Sequence, residues 1–511
     1  MVAFLADRLR YLYAASALLG AVLCLVLFGL RAASSISFTE PLQLHTTGDE
    51  FTNYFNIWKA LSGEVIYNDR FQVPYSVAVY NWLFYYAYAA VAAVVLTALD
   101  LSDAWLPTVT RFFTLAAIAA GTVVAYATFA RAAQARDATT KAIAAAFAVF
   151  LMIGPLLGFW SLTVRADLWA MTLEMAGAAA FLALYPRRRF AAVLVLAAAV
   201  YAAWSFKQAN VFAAAGAGFL LLARRDWKPL ALLCLVLPAA WAATFALGEP
   251  GWINSILFAD FPLFFQAARL LRNLGNVAVK TGPLLLFLAA VAWAAARSMS
   301  CRRGLWRSDT FVFAAGASVA ALALSVPLAA QHGGGENYFF MLAFFMGLMV
   351  MASLPVLAAG GAASLRSPLV AGIAGWLSLY AAVGAVLAGA AGTIDVRRQH
   401  PIYLEMKRCA DSLPRPLYVN NNYLGLPWMT PGNTPWVLSY TYKEERALAR
   451  RPFEHGGIGG LVDAGAFAAV AYQSDEQEPP TELDGGILVT HYEWRAAPQC
   501  PRTFVFFRKQ P

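Results

Sequence analysis

Thr46-Thr47-Gly48-Asp49-Glu50-Phe51 sits in the first long polar segment of the chain, between an apolar run over residues 11–30 and a strongly aromatic one over 77–99. Two adjacent carboxylates there stand out in a chain that is mostly hydrocarbon. Trp58, Gly63, Tyr67 and Pro74-Tyr75 follow before the aromatic run begins. An acid pair alone is a weak signal, since any loop exposes some acids. Its place in the chain gives it weight.

The sequence has 511 residues, 60% hydrophobic and 13% charged. Many of its apolar runs approach the roughly 20 residues that a helix needs to cross a bilayer, so the chain reads as an α-helical polytopic membrane protein. An outer-membrane barrel would show short alternating strands instead. The runs lie near 11–30, 77–99, 107–130, 142–160, 168–185, 190–205, 208–223, 229–247, 281–297, 310–330, 337–358 and 368–391. The net charge of +9 sits mostly in short loops between runs, where the positive-inside rule places it, and does not call for nucleic acid. Arg8 and Arg10 before the first run resemble a signal peptide. The run is long, however, and Arg31-Ala32-Ala33-Ser34 is a poor cleavage site, so a retained first span is expected.

Charge sorts the loops. Arg131/Arg136/Lys141, Arg187-Arg188-Arg189, Arg224/Arg225/Lys228, Arg297/Arg302/Arg303/Arg307 and Arg366 mark a cytoplasmic side. The 34–76 loop, the 161–167 turn, the turn at Lys207, the 248–280 loop, the His332–Asn337 loop and the tail from 393 fall on the other. If 77–99 crossed the membrane, every later arginine-rich loop would face outward. The connector Asp100-Leu101-Ser102-Asp103 carries no Lys or Arg. The aromatic run is therefore expected to lie along the outer face or to dip and return, with Tyr80, Trp82, Phe84, Tyr85, Tyr86 and Tyr88 at the interface. This leaves about 11 spans, an N-terminus in the cytoplasm and a C-terminus outside. An ordinary span with weaker charge bias is the competing reading.

From Thr393 the composition becomes that of a soluble domain, dividing the chain into 1–392 and 393–511. Pro416–Val419, Phe467–Tyr472, Gly486–Val489 and Phe504–Phe507 read as strands, Ile402–Leu413 and Lys443–Arg450 as helices. The expectation is a small C-terminal soluble α/β domain. Cys409 and Cys500 both fall within it; outside the cytoplasm they either form a disulfide or remain two free thiols.

Five polar stretches could carry chemistry. Asp49 and Glu50 offer a base for an acceptor hydroxyl and a partner that orients or holds charge. Arg165-Ala166-Asp167 puts an acid at membrane depth, where acids tend to be paired or functional. Lys207-Gln208, flanked by apolar sequence, could neutralise a headgroup phosphate or merely snorkel. Phe258–Leu274 reads as an in-plane amphipathic helix with Arg269 and Arg272 on one face. They could clamp one phosphate or bind anionic lipid generally. His332-Gly333-Gly334-Gly335-Glu336-Asn337-Tyr338 is a glycine-rich outer turn without a phosphate-loop pattern. All five would project into one cavity. No Cys/His cluster has zinc spacing.

Over residues 1–391 the pattern resembles the GT-C superfamily of membrane glycosyltransferases. It is most similar to the branch of the protein O-mannosyltransferases and the lipid A aminoarabinose transferases. Gly48-Asp49-Glu50, Gly63, Tyr67, Pro74-Tyr75, the Arg165–Asp167 turn and Asn337-Tyr338 carry the resemblance. The segment reads Val73-Pro74-Tyr75 where many relatives have Pro-Pro, and no acceptor-recognition motif aligns. The resemblance implies a polyprenyl-phosphate-linked sugar donor, Asp49 as base, and Glu50 and Asp167 as orienting groups. It also implies an inverting single displacement onto a glycan, lipid or protein acceptor, at the outer face of a bacterial inner membrane. Substrate contacts are expected from Tyr67, Arg165, Lys207, Gln208, Arg269, Arg272, His332, Glu336, Asn337 and Tyr338. No cofactor is required; a divalent metal between Asp49 and Asp167 is the alternative. Two other classes fit the same sequence: a transporter or flippase of lipid-linked saccharide, and a non-catalytic scaffold of the cell envelope.

Overall fold

The structure, a computed structural model, describes residues 2–39, 41, 50–76, 78–154, 156–257, 265–331, 334–359, 363–384, 404–405, 407–419, 451–473, 478–500 and 503–509. Asp49, His332, the 258–264 part of the expected amphipathic helix and the helix expected over Lys443–Arg450 lie outside them. The chain runs α1 (Val2–Ser35), α2 (Glu50–Leu61), α3 (Trp82–Ala98), α4 (Leu106–Ala132), α5 (Ala138–Ile153), α6 (Asp167–Leu184), α7 (Arg189–Phe206) and α8 (Phe212–Ala223). It continues through α9 (Trp227–Leu247), α10 (Pro250–Leu257), α11 (Ala267–Arg297), α12 (Met299–Arg307), α13 (Asp309–Ala329), α14 (Phe340–Ala359) and α15 (Ala363–Gly384).

Among the described residues, eight helices are long and apolar enough to cross a membrane: α1, α4, α6, α7, α9, α11, α13 and α14. The shorter α5 and α8, together with α15, account for the other expected runs. α5 stops at Ile153 rather than near 160. Gly154 is extended, as a residue before a proline tends to be, and a 3-10 turn over Gly158–Leu162 carries the chain to α6.

The aromatic run does not cross. Asn81 caps α3 through Trp82 N at 2.9 Å and donates from Nδ2 to Trp204 O at 3.1 Å, in the last turn of α7. Trp252 Nε1 closes on Asn81 Oδ1 at 3.0 Å. The middle of α3 meets the upper part of α4, Tyr88 OH lying 2.9 Å from Thr114 Oγ1. Its last residue is separated by Leu99–Ser102 from the 3-10 turn that opens α4. The end of α7 and the start of α4 lie at the same end of the bundle, so both ends of α3 lie there too. A segment that begins and ends at one end of the bundle agrees with the expectation of a run that lies along the face or dips and returns.

Small residues let the helices approach, as in membrane bundles generally. A Cβ on Gly216 of α8 would stand 2.7 Å from Phe313 O and 2.8 Å from Ala317 Cβ on α13. Backbone cannot yield as a side-chain tip can. Gly216→Leu is expected to destabilise the bundle by about 1–3 kcal/mol, read as a lowered melting temperature in detergent, whereas Gly218→Leu, where a Cβ meets nothing within 4 Å, stays near wild type.

The C-terminal region holds β1 (Leu417–Val419), β2 (Ala469–Gln473), β3 (Glu482–Leu483), β4 (Gly486–Ile487), β5 (Tyr492–Trp494) and β6 (Thr503–Arg508). The main sheet runs β1-β2-β6-β5. β1 and β2 are parallel, the other pairs antiparallel. The strand expected over Gly486–Val489 ends at Ile487, and Leu488–His491 forms a helical turn that buries Leu488 completely. Burial of that one side chain outweighs the β-propensity of the run.

Cys409 and Cys500 form a disulfide, 91 residues apart. Cys409→Ser with Cys500→Ser is expected to cost about 2–4 kcal/mol, detected as faster limited proteolysis of the C-terminal region.

This region does not close its core alone. Phe71 and Tyr75 of the first polar loop pack on Phe453, with ring centroids 5.0 and 5.5 Å away. Tyr75 OH donates to Glu454 O at 2.7 Å, Glu454 N to Phe71 O at 2.8 Å, and Arg451 pairs with Asp69 at 2.7 Å. The C-terminal region thus shares its core with the first polar loop.

Candidate active site

Three turns far apart in sequence meet at one end of the bundle. Asp167 opens α6, where a carboxylate complements the helix dipole. Its Oδ1 accepts from Asn337 Nδ2 at 2.7 Å and from Lys207 Nζ, and its Oδ2 from Arg165 Nε at 3.4 Å. Lys207 caps the end of α7, with its ammonium 4.5 Å from the centre of the Tyr338 ring. Arg165 lies over the rings of Trp160 and Tyr80, at 4.5 and 5.5 Å, a placement that favours the cation. The side chains of Asp167 and Lys207 are only 7% and 6% exposed. Two positive charges therefore face one negative charge in a nearly dry place. A cavity of about 10 Å³, room for about one water, lies between Asp167, Lys207, Asn210, Asn337 and Tyr338.

Glu50 begins α2 and is fully buried. Its carboxylate accepts from Val164 N at 2.8 Å and Tyr54 OH at 3.3 Å, and pairs with Arg111 of α4 at 3.3 Å. Arg111 also donates to Ser35 O at 2.7 Å. Asn53 Nδ2 adds a bond to Val164 O at 2.8 Å. α2 is thereby fastened to the strand of chain that leads into Arg165 and Asp167. Glu50 is a strut of the site, and its two oxygens are occupied by the protein itself.

Lys59 organises the rest of the first loop. Its ammonium donates to Ile66 O at 2.9 Å, Asn68 Oδ1 at 2.5 Å and Ser76 Oγ at 3.2 Å. Burial pulls its pKa down to about 7, against a smaller opposing pull from Glu64. Tyr67 donates to Tyr80 O at 2.9 Å and Gln208 to Val79 O at 3.0 Å. Both hold the entry to α3, and neither bonds to Asp167.

The expected convergence of all five stretches needs two corrections. Residues 267–274 are not a separate in-plane helix: they are the first turns of α11, 31 residues long and continuous past Pro283. At 1.5 Å per residue α11 is roughly 46 Å long, more than a bilayer core needs, so its first turns stand beyond it. Arg269 and Arg272 lie there, and among the described residues neither bonds or pairs with Asp167 or Lys207. Glu336 also turns away, pairing with Lys280 of α11 at 2.5 Å. α11 nonetheless sets the 334–338 turn, because Asn273 donates to Ala329 O at 2.9 Å and Gly334 O at 3.2 Å.

Arg111, Lys280 and Asn273 were not singled out from the sequence, nor was Glu174. Glu174 sits fully buried in α6, accepting from Ala213 N at 2.6 Å and Asn210 Nδ2 at 3.1 Å, so it fixes the turn that carries Lys207. A usable signal existed for two of them. Arg111 and Glu174 each interrupt an apolar run, and a charge inside a span is a functional-site candidate.

No protein-family profile and no curated protein matches the sequence. Among solved structures, the fold matches the archaeal oligosaccharyltransferase AglB from Archaeoglobus fulgidus in complex with an inhibitory peptide and a dolichol-phosphate. The TM-score is 0.50 at 12% identity, covering 96% of this chain and 74% of that one. Two further structures of the Archaeoglobus fulgidus oligosaccharyltransferase also match with TM-scores of 0.47. The apo form is 14% identical over 88% of this chain and 61% of that one. The complex with Zn and sulfate is 13% identical over 95% and 73%. The chain thus shares its overall fold, that of an α-helical polytopic membrane protein, with this archaeal enzyme.

Proposed function

We propose that the protein transfers a sugar from a polyprenyl-phosphate carrier to a hydroxyl acceptor, in the manner of the O-mannosyltransferase and aminoarabinose transferase branch. The observation that carries this reading is the buried Asp167–Lys207–Arg165–Asn337 cluster, which gathers two cations around one carboxylate. Buried charge at a membrane edge is costly and tends to be retained for function. Two cations gathered in a water-poor site suit a phosphate whose charge rises as the glycosidic bond breaks.

In this mechanism Asp49, beside Glu50 in the chain, takes the proton of the acceptor hydroxyl. The acceptor oxygen bonds to the anomeric carbon while the bond from that carbon to the phosphate oxygen breaks, with inversion. The polyprenyl phosphate leaves with the bonding electron pair, next to Arg165 and Lys207. Glu50 and Arg111 hold the loop in register, and Asp167 holds the two cations. A metal on Asp167 would have to displace those cations, so none is assigned to it. The site end faces outward from a bacterial inner membrane, with the N-terminus inside and the 393–511 region outside.

The test is a reconstituted assay with a radiolabelled polyprenyl-phosphate sugar and a detergent extract of envelope acceptors. Label is expected in a product that mild acid no longer releases from lipid. Movement of the labelled carrier across the bilayer without such a product would replace this reading with transport.

A further inference from the structure

At the end of the bundle opposite Asp167, a groove of about 840 Å³ opens between α11, α12, α13 and α14. This is within the usual range of ligand pockets, roughly 300–1,000 Å³. Its walls are apolar, with Leu288, Val291, Ala295, Phe311 and Met349 along its length. Arg302, Arg303 and Arg307 line its mouth. α12 is a nine-residue helix without an acid, turning Cys301 and Leu305 inward and the three arginines outward. None of the three forms an ion pair among the described residues, and Arg303 and Arg307 repel each other at i, i+4. The neighbouring Asp309 is taken by Arg224 at 2.8 Å.

We infer that this groove holds an anionic phospholipid, with acyl chain along the apolar wall and phosphate on the arginines of α12. The charge selects that occupant. A zwitterionic lipid fills the apolar wall equally well and brings the same phosphate, but its headgroup cation is carried into the field of the three arginines and repelled by them. A protein helix would need acids placed at that mouth. The site is separate from the proposed transfer chemistry and independent of it.

Native mass spectrometry of the full chain, delipidated and titrated with phosphatidylglycerol or phosphatidylcholine of the same chains, tests it. One tightly retained phosphatidylglycerol is expected. Replacing all three arginines (Arg302→Gln, Arg303→Gln, Arg307→Gln) should weaken it by on the order of 100-fold, at about fivefold per basic residue. Ala292→Phe, at an exposed groove position, should weaken it as well without changing the charge. Equal retention of the two lipids, or wild-type retention by either variant, overturns the assignment.

Discussion

Asp49→Asn is expected to lower the transfer rate by about 10²–10⁴-fold, the usual contribution of a positioned general base, while leaving the amount of folded protein unchanged. Asparagine keeps the shape and loses the ability to accept the acceptor's proton. The neighbouring Glu50 cannot substitute, because Val164 N, Tyr54 and Arg111 occupy its oxygens inside the protein. The measurement is single-turnover transfer from the lipid-linked donor, with melting temperature as the control for folding. Wild-type turnover by the variant removes Asp49 from its role and leaves the buried cluster to be explained some other way.

The second large effect separates fold from chemistry. Asp167→Ala leaves Lys207 buried beside the Tyr338 ring without its carboxylate. Breaking a buried pair by removing one partner costs about 3–5 kcal/mol. The same principle says that removing Lys207 as well is less harmful, with Arg165 still resting on the Trp160 and Tyr80 rings. Asp167→Ala alone should therefore lose both stability and transfer. Asp167→Ala with Lys207→Met should regain most of the melting temperature and none of the transfer, if the cluster stabilises the leaving phosphate. Near-wild-type transfer by the double variant would reduce the cluster to a structural pair.

The architecture was largely written in hydropathy and loop charge. The runs became helices, and the acid-rich connector after Leu99 pointed to an α3 that starts and ends at one end of the bundle, because a full crossing would have inverted every later arginine-rich loop. Polar residues that punctuate apolar runs, namely Asp167, Lys207 and Asn337, were legible for the same reason and do meet. What the sequence concealed is partner choice. Glu336 sits next to Asn337 yet pairs with Lys280, because α11 continues through Pro283 and brings a lysine within reach. Arginines, a lysine and a proline over 269–283 imitate a broken segment. Arg111 and Glu174 hid inside runs drawn by average hydropathy, where a single charge barely moves the mean. Leu488 left its strand to fill a core whose other walls come from distant parts of the chain.

The docking of Phe71 and Tyr75 on Phe453 bears on the order of biogenesis. Tyr75 and Glu454 are 379 residues apart. At roughly 5–20 residues per second, the ribosome needs from about 20 to 75 seconds to supply the second half of that contact. Through the last part of that interval the loop is held at its acid-pair end by Val164 and Arg111, while its Asp69–Tyr75 end still lacks its partner. A nascent chain cut short between Gly384 and Phe453 would carry every described helix of the bundle and still lack the clasp on its first loop.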